Sequence, residues 1–245
     1  MPSVLRSRFF VVPAILLLAG SILPLAAQQS ASLHPPVSAS ISTGQVVERL
    51  QQENRRRAED LKHYSGTRTY HLEYHGLGSL SADMVVEAQF DAPATKRFRV
   101  ISQHGSKLVI NEVFKRLLAA EQEAAGPDMQ RKTALSPENY QFQLIGQEAV
   151  GDRHCYVLEV VPRTGNKFLY RGKVWIDAQD FAVVQIEAEP ARNPSFWIRR
   201  TTIKHEYTKV GEFWLPAENL SVSNIRVGGI ATLTIDYGQY IVSPD

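Results

Sequence analysis

Residues 171–190 read RGKVWIDAQDFAVVQIEAEP. Two apolar alternating runs, 171–177 and 182–189, flank four residues of turn-like composition, so the stretch is a β-hairpin. Successive side chains of a strand point to opposite faces. Val174 and Ile176 therefore share one face, and Lys173, Trp175 and Asp177 share the other. In the returning strand Val184, Ile186 and Ala188 oppose Val183, Gln185 and Glu187. One face is wholly aliphatic. The other is mixed, as expected of a solvated outer surface with an aromatic platform. The aliphatic face must cover a core or an apolar cavity.

The same one-sided pattern recurs on both sides of the hairpin. Tyr70, Leu72 and Tyr74 alternate with Thr69, His71 and Glu73; Met84, Val86, Ala88 and Phe90 with Val85, Glu87 and Gln89; and Phe98 and Val100 with Arg97, Arg99 and Ile101. Gly76-Leu77-Gly78 and Pro93 mark the turns, giving three antiparallel strands from residue 66 onward. After the hairpin, 200–210 and 213–227 meet at Gly211-Glu212, and Gly228-Gly229 leads into 230–242. Before it, 139–146 and 154–162 pair around Gly151-Asp152.

Two stretches have helical period. Ser42 and Gln45 have the spacing of a capping box, and a helix with a thin apolar face (Val46 or Val47, Leu50, Ala58, Leu61) follows to about residue 61. In 106–125, Ile110, Val113, Phe114, Leu117, Leu118 and Ala124 form a stripe, supported by Glu112 and Arg116 at i,i+4 and ended by Gly126-Pro127. Leu108-Val109-Ile110 also suits a strand. Residues 127–138 are expected to be a long polar loop with a turn at Ser136-Pro137-Glu138. The sum is α+β, mainly antiparallel β: a barrel or strongly curved sheet of about ten or eleven strands. A half-open barrel needs a lid, and the two helices are available to provide it.

The start of the chain indicates export. Arg6 and Arg8 precede an apolar run, Phe9 to Leu25, and Leu25-Ala26-Ala27 offers small residues before Gln28. This is the pattern of a cleavable signal peptide over 1–27. No cysteine directly follows the small residues, so no lipid anchor is expected; with the signal cleaved, no integral membrane segment is expected either. Residues 28–41, rich in Ser, Ala, Gln and Pro, are expected to be a disordered leader. Residues 42–245 would form a single domain and act as a monomer. Cleavage removes Arg6 and Arg8 and no acid, leaving 25 Lys and Arg against 25 Asp and Glu. A neutral chain has no general electrostatic reason to bind nucleic acid or an anionic membrane. Arg55-Arg56-Arg57, with acids close by, is expected to be a solvated helix face. The one cysteine, Cys155, excludes an intramolecular disulfide and lies in a strand-like run, as a buried apolar residue would.

Catalytic patterns are tested and set aside. On a strand His71 and His75 would be about 13 Å apart, at roughly 3.3 Å per residue. No histidine sits in an HExxH or CxxC pattern. No GxSxG elbow occurs, and Gly76-x-Gly78 is a hairpin turn, not a phosphate loop. No metal, no cofactor and no catalytic residue is expected, and the chain is read as a non-enzyme.

Val174-Trp175-Ile176-Asp177 followed by Val184 and Ile186, Pro93 followed by Phe98-Arg99-Val100, and FWLPAENLSVSN (213–224) resemble, in that order, the LolA-like superfamily of periplasmic outer-membrane lipoprotein-sorting proteins and their relatives. The resemblance covers roughly residues 42–242. It implies a half-open β-barrel with helices as a lid, whose apolar interior accepts the acyl chains of a lipoprotein or lipid. It implies a periplasmic carrier in envelope biogenesis. The alternative is a ligand-free protein-interaction or stress-sensor module of the same fold, partnered by envelope proteins. Two departures stand out. Ala92 occupies the place of the carrier's lid-latching arginine, with Lys96, Arg97 and Arg99 the nearest bases. The helix at 106–125 stands where the carrier has a strand pair.

The residues expected to line the interior are Leu72, Met84, Val86, Phe90, Phe98, Val100, Leu158, Val174, Ile176, Val184, Ile186, Leu233 and Ile235. Phe114 and Leu117 would join them from the helix, with Leu118 beside them. Trp197, with Arg199 and Arg200, is the candidate docking site.

Overall fold

The computed structural model describes residues 41–193 and 195–243. The expected signal peptide and nearly all of the leader lie outside these residues. Helix α1 (Thr43–Asp60) precedes three strands, β1 (His63–His75), β2 (Ser79–Asp91) and β3 (Thr95–Gly105). A helical segment, α2, runs continuously through Lys107–Val109, a π-helical stretch Ile110–Phe114 and Lys115–Ala124. A short α3 (Pro127–Thr133) follows. Seven strands complete the chain: β4 (Tyr140–Val150), β5 (Arg153–Pro162), β6 (Tyr170–Asp177), β7 (Val183–Pro190), β8 (Ile198–Val210), β9 (Phe213–Ile225) and β10 (Ile230–Ser243).

All ten strands belong to one antiparallel sheet, ordered β3-β2-β1-β10-β9-β8-β7-β6-β5-β4. Its edges, β3 and β4, do not pair, so the sheet is a half-open barrel and not a closed one. The register of β1 against β10 inserts the first three strands beside the last. The connection between the two free edges is the helical segment α2–α3.

The capping box at the start of α1 forms as expected: the Ser42 hydroxyl accepts from the Gln45 amide, and the Gln45 side chain accepts from the Ser42 amide. Val46, Val47 and Leu50 pack on Leu158, Val160, Val174, Ile176 and Ile186. The arginine run is not wholly solvated. Arg57 is buried and donates to the carbonyls of Asp180 and Phe181, both at 2.9 Å, tying the end of α1 to the β6–β7 turn. Residues 107–124 are helix throughout, so the strand option for 108–110 is excluded. The loop expected over 127–138 contains α3. Pro127 sits in its first turn, where its fixed φ suits the helix and its missing N–H is no loss.

The 171–190 hairpin forms, with two differences. Its turn is organised by Asp177, whose carboxylate accepts the amides of Gln179 and Asp180 at 2.9 and 2.7 Å. A β-bulge then shifts the register, so that Ile176 faces Val183 while Val174 faces Ile186. Because a bulge adds one residue to one strand, it reverses which face the next side chain takes. Val184 therefore lies on the opposite face from Ile186, beside Cys155, Val157 and Trp175. Trp175 is buried, not a solvated platform, because the outer face carries this small apolar cluster of its own. At Gly172 (φ +152°) strands β6 and β7 approach so closely that a Cβ would sit 2.2 Å from the Glu187 carbonyl oxygen.

Candidate functional site

The helix-covered face of the sheet holds the candidate site. Two apolar clusters lie side by side on it. One is the α1 cluster, which contains Leu158, Val174, Ile176 and Ile186. The other contains Leu72, Met84, Val86, Leu233 and Ile235, with Val109, Ile110, Phe114, Leu117 and Leu118 of α2 set into them. Phe98 packs at the margin of this second cluster. Phe90 belongs to a third cluster with Leu61, Tyr64 and Leu215. Val100, on edge strand β3, is 43% exposed. The structure thus brings together most of the expected lining residues in two sets, and sends Val184 to the outer face.

α2 is held down by charge as well as by its stripe. Glu121 is buried in the sheet side of α2. It accepts from the Arg68 guanidinium of β1 and, at 2.9 Å, from Lys96 Nζ of β3. The Arg68 guanidinium lies between the Phe98 and Tyr237 rings, 5.0 Å from each centroid. Such faces attract a cation that has lost its water. The Arg68 Nε is buried without a partner.

Burial pushes the Glu121 carboxyl up, but Arg68 and Lys96 outweigh it and hold it down at about 2. Arg68 is correspondingly raised well above its ordinary value: burial lowers it, and Glu121 reverses that. Glu121 and Arg68 are therefore both ionised at neutral pH. A carboxylate clamped by two cations from two strands makes α2 a strap across β1 and β3.

A second buried polar group lies nearby on β8 and β9. Burial pushes the His205 imidazole down to about 4, with Glu121 opposing weakly, so His205 is neutral at pH 7. Its ring lies 2.8 Å from the Asn219 amide nitrogen, which donates to it. Thr201 and Ser223 share a hydrogen bond one step further along the same strands.

Arg68, Glu121 and His205 were not anticipated as site residues, although two of them carried a signal. Arg68 has the parity of Tyr70 and Leu72, so strand alternation places its charge on the apolar face. Glu121 falls four residues after Leu117 and three after Leu118, on the apolar stripe of its helix. A charge on a buried stripe demands a partner, but the partner's identity depends on which strands end up beside it.

Of the expected docking residues, Trp197 is half-buried with Phe196 packed edge-on against it, and Arg199 and Arg200 are exposed. Arg200 pairs with Glu189. Among the described residues, two grooves stand out on the surface. One, of about 530 Å³, lies across β5–β9 and includes Glu159, Arg171, Glu187 and Lys204. The other, of about 420 Å³, lies between the start of α1 and Tyr140, Phe142 and Arg163. Among the described residues no cluster of His, Cys, Asp and Glu has metal-binding geometry, and no helix is long and apolar enough to cross a membrane.

A family model described as an uncharacterized protein matches residues 92–242, more than half of the chain. No curated protein matches. Among solved structures, the chain is similar to a DUF1329 family protein from Desulfovibrio piger (12% identity, 83% of this chain and 94% of that one, TM-score 0.43). It is also similar to a putative outer membrane lipoprotein-sorting protein domain from Vibrio parahaemolyticus (14%, 80% and 92%, TM-score 0.40). A third is a LolA superfamily protein from Nitrosomonas europaea (11%, 83% and 94%, TM-score 0.35). The half-barrel itself rests on the strand order given above, not on these scores.

Proposed function

Since the chain belongs to the family of uncharacterized proteins matched over residues 92–242, and its antiparallel sheet is an open half-barrel, we propose that it is an exported, non-enzymatic binding protein for acyl-chain ligands in the cell envelope. The observation that carries this reading is the construction of α2. Its apolar residues Phe114, Leu117 and Leu118 fill the cup formed by Met84, Val86, Leu233 and Ile235, and its one buried charge is clamped by Arg68 and Lys96. An acyl chain offers the sheet the same apolar surface that α2 does. Burying it is worth about 0.8 kcal/mol per CH₂, so displacement of the helix can be driven by apolar contact alone. The ligand would be a lipoprotein acyl group or a free lipid, and the compartment the periplasm.

The test is native mass spectrometry of protein purified from a bacterial periplasm, with organic extraction, followed by titration with a fluorescent fatty acid. A stoichiometric acyl species, or probe binding strengthened in Glu121→Gln, is the expected result. A clean unliganded mass with no probe binding to either protein rejects the reading. It would then favour the second reading, a protein-interaction module. That reading is supported by the completeness with which α2 already fills the cup: Met84, Val86 and Phe114 are fully buried.

A further inference from the structure

The antiparallel register sorts the connections between strands to two ends of the sheet. Besides the α3–β4 and β5–β6 connections, which hold Glu138, Arg163 and Lys167, one end carries the β1–β2 turn, the β3–α2 junction, the β7–β8 loop and the β9–β10 turn. These are contiguous. The Tyr74 hydroxyl donates to the Gly228 carbonyl at 2.9 Å. The Ser106 amide donates to the Ser81 carbonyl at 2.8 Å, and the Arg226 amide to the Trp197 carbonyl at 2.7 Å. Six large apolar side chains stand in solvent along this rim: Leu77, Leu80, Leu108, Phe196, Val227 and Ile230. Leu77 is 90% and Phe196 75% exposed, at the tips of their loops, where no neighbouring strand can cover them.

Charge divides the same way. Segments 75–80, 104–108, 190–193, 195–200 and 224–230 contain Lys107, Arg192, Arg199, Arg200 and Arg226 and no Asp or Glu. Among the described residues Lys107, Arg192, Arg199 and Arg226 have no carboxylate partner. The Arg226 guanidinium lies 5.2 Å over the Phe196 ring. The opposite end, segments 59–63, 91–95, 150–153, 177–182 and 210–213, has seven acids against Lys62 and Arg153. Residues 28–245, with 25 Lys and Arg against 25 Asp and Glu, are thus polarised along the strands.

We propose that the rim formed by the 75–80, 104–108, 190–193, 195–200 and 224–230 segments docks onto an anionic phospholipid bilayer surface, with Leu77, Phe196 and Val227 entering the headgroup layer. Apolar tips ringed by bases fit that surface. The apolar residues gain from leaving water, the arginines meet lipid phosphates with their stems in the interface, and the acidic end is held away. A scattered set of surface leucines would carry no such charge asymmetry. The proposal does not depend on what the interior of the barrel holds.

The test is vesicle flotation of the protein expressed with its natural N-terminus, using phosphatidylcholine vesicles with and without phosphatidylglycerol. The wild type is expected to float with the anionic vesicles, less so at high salt. Leu77→Ser combined with Phe196→Ser, and separately Arg199→Glu combined with Arg226→Glu, should each reduce the bound fraction about tenfold or more. Asp152→Ser with Glu212→Gln, at the other end, should leave it unchanged. Brominated lipid should quench Trp197 and spare Trp175 and Trp214, which lie toward the acidic end. Absence of wild-type flotation overturns the proposal, including the case in which the rim instead binds an acidic protein. So does flotation that the rim variants do not reduce, which would assign binding to the N-terminal segment. All rim substitutions are at exposed positions, and an unchanged thermal melt verifies that the variants are folded.

Discussion

Arg68 and Glu121 show how a buried charge pair behaves when one member is removed. Arg68→Ala leaves the Glu121 carboxylate in the core with only Lys96, and the expected loss is about 3–5 kcal/mol in denaturant unfolding. Replacing both, as Arg68→Met with Glu121→Leu, should recover most of that loss, because apolar groups of similar volume need no partner. If the double variant is no more stable than Arg68→Ala, the pair contributes more than mutual charge compensation.

Acid acts through the same cluster in two steps. Glu121 has a folded value near 2 against an ordinary 4.5. Its contribution is present above about 4.5 and is lost as pH falls toward 2. His205 is a base whose folded value, about 4, lies below its ordinary 6.5. The unfolded chain binds its proton first, so stability declines from about pH 6.5 toward 4. Thermal melts should fall in both windows, and His205→Gln should flatten the upper one only. Unchanged slope between pH 6.5 and 4 in that variant would remove His205 as the cause.

Secondary-structure elements are held by local chemistry that single substitutions expose. Ser42→Ala removes the side-chain acceptor of the α1 cap, for a cost of about 1 kcal/mol. Gly172→Ala places a methyl group 2.2 Å from a carbonyl oxygen at a positive φ, and should destabilise by about 1–3 kcal/mol or more, read as a drop in melting temperature. Equal stability of the alanine variant would mean that β6 and β7 separate there at little cost. Both elements were legible from sequence: the Ser-x-x-Gln spacing names the cap, and the hairpin pattern names the strands. The bulge that turns Val184 outward was not legible. Val183 and Val184 are equally apolar, and either could follow the turn onto the core face. The choice is made by Asp177 and by the outward cluster of Cys155, Val157 and Trp175, which offers Val184 an apolar place on the far side.

Across the fold, the sheet and its strap should differ in local stability. β1 and β10 are each paired on both sides, whereas α2 bridges the two free edges and is secured by one charged cluster and one stripe. Amide exchange should therefore be faster in 107–124 than in β1 or β10. Glu121→Gln should accelerate exchange in α2 while leaving α1, anchored by Arg57, unaffected. Uniform protection through α2 and the central strands would show that the helix opens only with global unfolding.

Local sequence was enough for the number and direction of the strands, the two long helices, the capping box, and the antiparallel class. Each of these is encoded in the period of apolar residues and in the turn residues between them, which act over a few positions. Strand order was not written locally. β1 pairs with β10 from the far end of the chain, and it is this neighbour relation that brings Arg68 against Tyr237. β2–β3 pairing then brings Lys96 near enough to share Glu121. The division of charge between the two ends has the same origin. Basic and acidic turns alternate along the chain and cancel in composition. Antiparallel folding collects every second turn at one end, so a neutral sequence becomes a polarised molecule.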